Sequence, residues 1–312
     1  MEKKKNWLIW VVLAAVVLIC GGLTVKSLFD FGIIHIDKPY VPQYIDIGYN
    51  DLGSAKFLDG KTAWVSIFAS DGSGSWDFTK QSDCDLRDEM LSYYPVAAEW
   101  IAGEGKKYGF SPEFVFAQSP DDSLLYYEAK FDMELLDSKE YKQINGVASD
   151  EWFFVDENID SGAIREKYGC DNVVYAIFLN TPADYYNTAM AMAMFRKKLA
   201  YPYEMLWLPA NSCCPAVVAH ETLHTFGATD LYTFDGYGIS YGQPFGFDIF
   251  CTENYPTDIM LSTADAETGE KLKDRITREI TDITAYYIGW VNDPPFDVDG
   301  LEMIHSHFEK NG

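Results

Sequence analysis

The apolar positions of this chain fall into separate runs of different length and period. The first, Trp7 to Val25, holds 19 residues without a charge. At about 1.5 Å per residue a helix of that length approaches the thickness of a hydrocarbon core. Lys3, Lys4 and Lys5 precede it and Lys26 follows, so the positive-inside bias predicts a cytoplasmic N-terminus with everything after residue 26 outside. The competing expectation is a cleaved secretory signal. Ala14-Ala15 sits too early for a cleavage site, and Ile19 before Cys20 does not suit a lipoprotein signal. The predicted organisation is a basic tip over 1–6, a signal-anchor over 7–25, an extracellular stalk or arm over 26–61, and one globular domain over 62–312. The arm carries Pro39, Pro42, Gly48, Gly53 and Gly60 among isolated apolar residues, with neither a strand nor a helix period.

Within the domain, Thr62 to Ser70 is a compact β-branched and apolar run entering a polar loop at Asp71, the pattern of a buried strand. Met90, Leu91, Tyr94, Ala97, Ala98 and Ile101 predict a long helix from Leu86 to Tyr108, interrupted or kinked near Pro95 and stopped at Gly109. Strand patterns follow at Glu113 to Gln118, Ser123 to Phe131, Asn172 to Leu179 and Tyr203 to Leu208. A helix is predicted from Pro215 to Phe226. A second late helix from Arg275 to Trp290 places Ile276, Ile280, Ile283, Thr284, Tyr287 and Ile288 on one side. The fold class these imply is α+β, a mixed twisted sheet packed on two long helices, with a smaller loop-rich C-terminal subdomain.

Composition removes some functions. A net charge of -24 argues against a nucleic-acid groove, which needs clustered Lys and Arg. Of the six cysteines, Cys20 lies in the first apolar run. Cys84, Cys170, Cys213, Cys214 and Cys251 cannot all pair within one chain, so the core and not a disulfide framework must hold the fold, though an exterior compartment permits one or two bridges.

The chemistry concentrates in His220-Glu221-Thr222-Leu223-His224. Two histidines four apart on a helix project from one face and can share one zinc ion, and Glu221 beside them can take a proton from an attacking water. Pro215 in the first turn and Gly227 after the last mark the helix ends. A catalytic zinc needs a third protein ligand and an open position. His35, His305 and His307 are badly placed to supply it, which points to a carboxylate. Asp230 is the first candidate, because a left-handed Gly227 can fold the next three residues back toward the metal. Glu253, Asp258, Glu267 and Glu279 remain alternatives, in which case Asp230 would hold a histidine tautomer.

His220, Glu221, His224, Gly227 and Asp230 match the His-Glu-x-x-His-x-x-Gly-x-x-His/Asp signature, and the chain over 215–260 resembles the metzincin-type metallopeptidases. The aspartate version is similar to the snapalysin group and to immune-inhibitor-A-like peptidases, the latter also with a nearby tyrosine. The resemblance implies a zincin-like fold, one catalytic zinc held by His220, His224 and Asp230, hydrolysis of peptide bonds in a protein or peptide substrate with Glu221 as general base and acid, and a methionine turn beneath the metal, for which Met260 in Asp258-Ile259-Met260 is the candidate. Some metzincins place a tyrosine two residues after that methionine, where this chain has Ser262. A distal glutamate as third ligand would instead resemble the thermolysin-like group. Tyr203 to Pro209 resembles the edge strand along which metzincins hold an extended substrate. Tyr232, Tyr237 and Tyr241 are candidates to line specificity pockets or donate to an oxyanion, or they simply pack.

Two weaker signals complete the expectations. The alternation Asp71, Ser73, Ser75, Asp77 could wrap calcium, although a polar loop after a strand needs no ion. Cys213-Cys214 ahead of the motif helix could brace it by a disulfide to another segment or serve as plain buried thiols. The whole predicts a membrane-anchored extracellular zinc metalloendopeptidase, with a catalytically inactive surface binding module of the same fold as the alternative. A structural zinc protein fits less well, since structural sites are usually closed shells rich in cysteine.

Overall fold

The structure is a computed structural model that describes residues 54–55, 57–132, 150–181, 190–192, 204–232, 247–292 and 295. The apolar run over 7–25 and most of the arm lie outside the described residues. No helix among the described residues is long and apolar enough to cross a membrane.

The domain is a mixed α/β structure built on one largely parallel sheet. In chain order the elements are β1 (Lys61–Ser70), α1 (Gln81–Lys107), β2 (Glu113–Phe116), β3 (Tyr126–Lys130), α2 (Asp150–Asn158), α3 (Ser161–Tyr168), β4 (Asn172–Leu179), β5 (Met190–Met192), β6 (Glu204–Pro209), α4 (Pro215–Thr225), α5 (Phe247–Asn254) and α6 (Asp282–Tyr287). The strand order is β2-β1-β4-β6-β5, and β3 also pairs with β1. β2 joins β1 through Lys61–Trp64 and β3 joins it through Ser66–Ser70, so two short strands line one edge of β1 end to end. Every pairing is parallel except that of β5, which runs antiparallel to β6.

Each residue of β4 and β6 is buried, which is why these segments read as continuous apolar runs and not as alternations. The core between sheet and helices is aromatic. Trp64 stacks between Tyr94 of α1 and Phe114 of β2, at 5.0 and 4.2 Å between ring centroids. Phe68 stacks on Phe178 at 4.9 Å. α1 packs on α4, and α4 packs on β5 and β6, so the helix bearing the motif is held between the long helix and the antiparallel end of the sheet.

Four expectations are corrected. The helix α1 begins at Gln81, earlier than Leu86, and continues through Pro95 as one 27-residue helix. The late helix shrinks to six residues, Asp282–Tyr287, because the chain before it forms a parallel bridge between Glu279 and Asp258. Among the described residues the sheet has one long helix, α1, beside the motif helix. Thirdly, β6 is not an edge strand: it is paired on both sides, and β5 is the last strand beyond it among the described residues.

Fourthly, the arm's last residues belong to the domain. Ala55 and Leu58 are buried in the core. Ser54 hydrogen-bonds the buried carboxylate of Glu204 through its hydroxyl, and the Ala55 N–H donates to the same oxygen at 2.8 Å. Asn172 Nδ2 donates to the Phe57 carbonyl at 2.8 Å, and Trp290 Nε1 donates to the Leu58 carbonyl at 2.8 Å. The folded unit thus starts by Ser54, ahead of the expected boundary at 62.

Candidate metal centre

The turn after β6 leads directly into α4, with Pro215 in its first turn, where a missing N–H costs nothing. The helix ends in a Schellman arrangement: Gly227 N–H donates to the His224 carbonyl at 3.0 Å and Ala228 N–H to the Leu223 carbonyl at 3.1 Å. Gly227 has φ 105°, a backbone conformation strained for any residue with a Cβ. The reversal carries the following chain back across the helix terminus.

That reversal performs two tasks. It sets the Ala228 carbonyl 2.9 Å from His224 Nδ1, and it brings Asp230 Oδ1 to 3.2 Å from both His220 Nε2 and His224 Nε2. His220 Nδ1 lies 3.0 Å from the Ile259 carbonyl. A carbonyl only accepts, so each imidazole donates from Nδ1, and in its neutral form turns an Nε2 lone pair inward. The two Nε2 atoms are 3.1 Å apart.

These three potential ligand atoms form a nearly equilateral triangle with edges of 3.1, 3.2 and 3.2 Å. Tetrahedral zinc with bonds of about 2.0–2.1 Å sets its ligand atoms about 3.3 Å apart. The donor set also fits: two neutral imidazoles and one carboxylate are a set used by catalytic zinc, and three protein ligands leave a position open. Fixing each Nδ1–H on a backbone carbonyl is how such histidines are oriented. A looser grouping of His220, Glu221 and His224 has its ligand atoms within 4.8 Å of one another. Asp230 makes the tighter contact and completes the triangle, which leaves Glu221 beside it.

The electrostatics follow from burial. Glu221 is buried at 5% exposure, and burial raises its pKa, opposed by His220 and His224. Burial also works against charge on Asp230, but His224 and His220 outweigh it and hold the carboxyl well below its ordinary range. In the metal-free protein the converse holds for His224: burial lowers its pKa, and Asp230 more than compensates, raising it to about 9. Positive charge at this point is what the site favours.

Met260 is fully buried in the turn that follows α5. Its carbonyl accepts from Leu231 N–H at 3.0 Å, next to Asp230, while the preceding carbonyl of Ile259 holds His220. Tyr232 lies with its ring 6.4 Å from that of His220, and its hydroxyl is hydrogen-bonded to Asp230. The tyrosine is thus brought to the centre, a placement that a lone aromatic in a loop does not announce. Tyr237 and Tyr241 lie outside the described residues, as do His35, His305 and His307.

The other candidate ligands are occupied or exposed. Asp258 is fully buried, and its two oxygens accept from Met260 N–H, Thr284 Oγ1, Thr281 N–H and Thr281 Oγ1. Glu253, Glu267 and Glu279 are exposed, and Glu279 accepts from Thr257 Oγ1 at 3.1 Å. The carboxylates of the polar loop serve their own turns: Asp71 accepts from Ser73 and Gly74, and Asp77 from Thr79. Cys84, Cys170, Cys213, Cys214 and Cys251 are free thiols. The elements missed in the sequence are α2, α3, α5 and β5; for β5 the Ala-Met alternation around Met190–Met192 was the available signal.

In comparisons with known proteins, no family model matches the chain and no curated protein matches it.

Proposed function

We propose that this protein is a zinc-dependent peptidase of the metzincin-like type, tethered to the membrane through residues 7–25 with its domain outside the cell. The observation that carries the proposal is the triangle of His220 Nε2, His224 Nε2 and Asp230 Oδ1, matched to one tetrahedral ion and set beside a buried carboxylate.

His220, His224 and Asp230 would hold the ion. Bound there, zinc supplies Lewis acidity, polarising a scissile carbonyl and making a water acidic. Glu221 accepts the proton of the attacking water at its carboxylate and passes it to the leaving amine. Tyr232 steadies Asp230 by its hydroxyl. β5 is antiparallel to β6 and packs on α4, and its other edge has no strand partner among the described residues, so an extended peptide pairing there is the expected binding mode. That role, expected of Tyr203 to Pro209, passes to β5.

The test uses the full chain purified in detergent, with bound zinc measured and a mixed peptide library as substrate, for wild type and Glu221→Gln. The proposal expects about one zinc per chain in both and cleavage by wild type alone. Equal cleavage by both, or cleavage by neither, removes it.

A further inference from the structure

Asp258 is distant in sequence from the motif and fully buried, yet its carboxylate accepts four hydrogen bonds and forms no ion pair with a described residue. Its Oδ1 accepts from Met260 N–H at 2.7 Å and Thr284 Oγ1 at 2.8 Å. Its Oδ2 accepts from Thr281 N–H at 3.1 Å and from Thr281 Oγ1. One carboxylate thereby joins the Asp258–Met260 turn to the first residues of α6. The backbone reinforces the junction, with Ile259 N–H donating to the Glu279 carbonyl at 2.9 Å and Glu279 N–H to the Thr257 carbonyl at 3.0 Å.

The turn so fixed presents two consecutive carbonyls to the metal centre. Ile259 O faces His220 Nδ1 at 3.0 Å, and Met260 O accepts from Leu231 N–H at 3.0 Å, one residue beyond Asp230. Two of the three ligands are therefore braced by neighbouring peptide groups of a single turn. We infer that Asp258 is a positioning residue for the metal centre: it acts through the Ile259 and Met260 carbonyls to fix the His220 ring and the Asp230 loop, and so sets metal affinity without touching the ion. This rests on the zinc reading of His220, His224 and Asp230.

A buried carboxylate is a costly way to fix a turn, because it must be desolvated. Four donors compensate it here, and they come from the turn and from α6, so the geometry cannot relax without leaving one of them unmet. That over-determination fixes the turn that carries the Ile259 carbonyl. Partners that orient a histidine ligand commonly account for about 10–100-fold in metal affinity.

The test is zinc affinity of the full chain in detergent, by competition with a chromophoric chelator, alongside the visible spectrum of the cobalt-loaded protein, which reports ligand geometry. Asp258→Ala is expected to bind zinc about 10–100-fold more weakly and to shift the cobalt bands. Ile164→Ala, a core truncation in α3, controls for lost stability and is expected to change neither. If Asp258→Ala does not fold, Thr284→Val removes one donor and is expected to weaken zinc in the same direction by less. Wild-type affinity and spectrum in a folded Asp258→Ala, or in Thr284→Val when the former does not fold, overturn the inference. A wild-type chain that takes up neither metal overturns the zinc reading itself.

Discussion

Asp230 and Glu204 are two sequestered carboxylates that the fold treats in opposite ways. Asp230 faces two imidazoles, and its pKa is held down despite burial. Glu204, at the start of β6, meets neutral donors from Ser54 and Ala55 among the described residues, and burial raises its pKa to about 7. Desolvation penalises both charges, and the neighbours decide the result. At Asp230 the surroundings favour a cation. At Glu204 they favour a neutral acid that clasps the end of the arm to the sheet, so the first is a site and the second is a fastening.

The largest expected effect separates chemistry from binding within the first region. Glu221→Gln should lower kcat/KM by about 10²–10⁴, the usual worth of a general base, with zinc affinity little changed. Steady-state kinetics and chelator competition on the same samples check this. Asp230→Asn should instead weaken zinc by at least about 100-fold, beyond what the loss of a neighbour to a ligand costs. If it keeps wild-type affinity, the contrast with Glu204 collapses, because neither carboxylate would then need a cation.

Glu204→Gln sharpens the other side. A folded pKa near 7 against an ordinary 4.5 means that the folded protein holds this proton more tightly than the unfolded chain. Its contribution is fully present below about pH 4.5 and is lost as pH rises through 7, a change on the order of 3 kcal/mol. Glutamine stays neutral throughout. Chemical denaturation at pH 4.5 and 8 should therefore show the variant gaining on wild type by about that amount between the two. A pH-independent difference would mean that Glu204 ionises normally.

The smallest effect is a proton count. With His224 raised to about 9 in the metal-free protein, the imidazole is charged at pH 7, and zinc must displace that proton. Titration calorimetry in buffers of different ionisation enthalpy should find about one proton released per zinc at pH 7 and fewer above pH 9, with affinity rising over the same interval. Release that does not vary with pH would place the proton elsewhere.

The contrast also marks what the sequence alone could disclose. His220, Glu221, His224, Gly227 and Asp230 lie within eleven residues, so helix spacing and one glycine reversal suffice to bring them together. The strand Asn172–Leu179 and the helix from Pro215 were legible for the same reason, since each is a local apolar pattern with clear ends. Glu204 and Ser54 are 150 residues apart, and nothing local announces a partner for either. Ser54 to Gly60 therefore read as stalk, although its backbone is claimed by Glu204, Asn172 and Trp290. The same blindness made a long helix of Arg275 to Trp290: its apolar period is real, but Glu279 pairs with Asp258 and keeps the first half extended. Which strand forms the edge likewise depends on pairing, which no single strand's pattern contains.

X-ray absorption on the zinc-loaded full chain reads the ligand set of the metal centre itself. A shell of nitrogen and oxygen only is expected, at about 2.0–2.1 Å, with outer-shell scattering from two imidazoles. Sulfur at about 2.3 Å would place the metal on the cysteines and contradict that ligand set, as would a shell without two imidazoles.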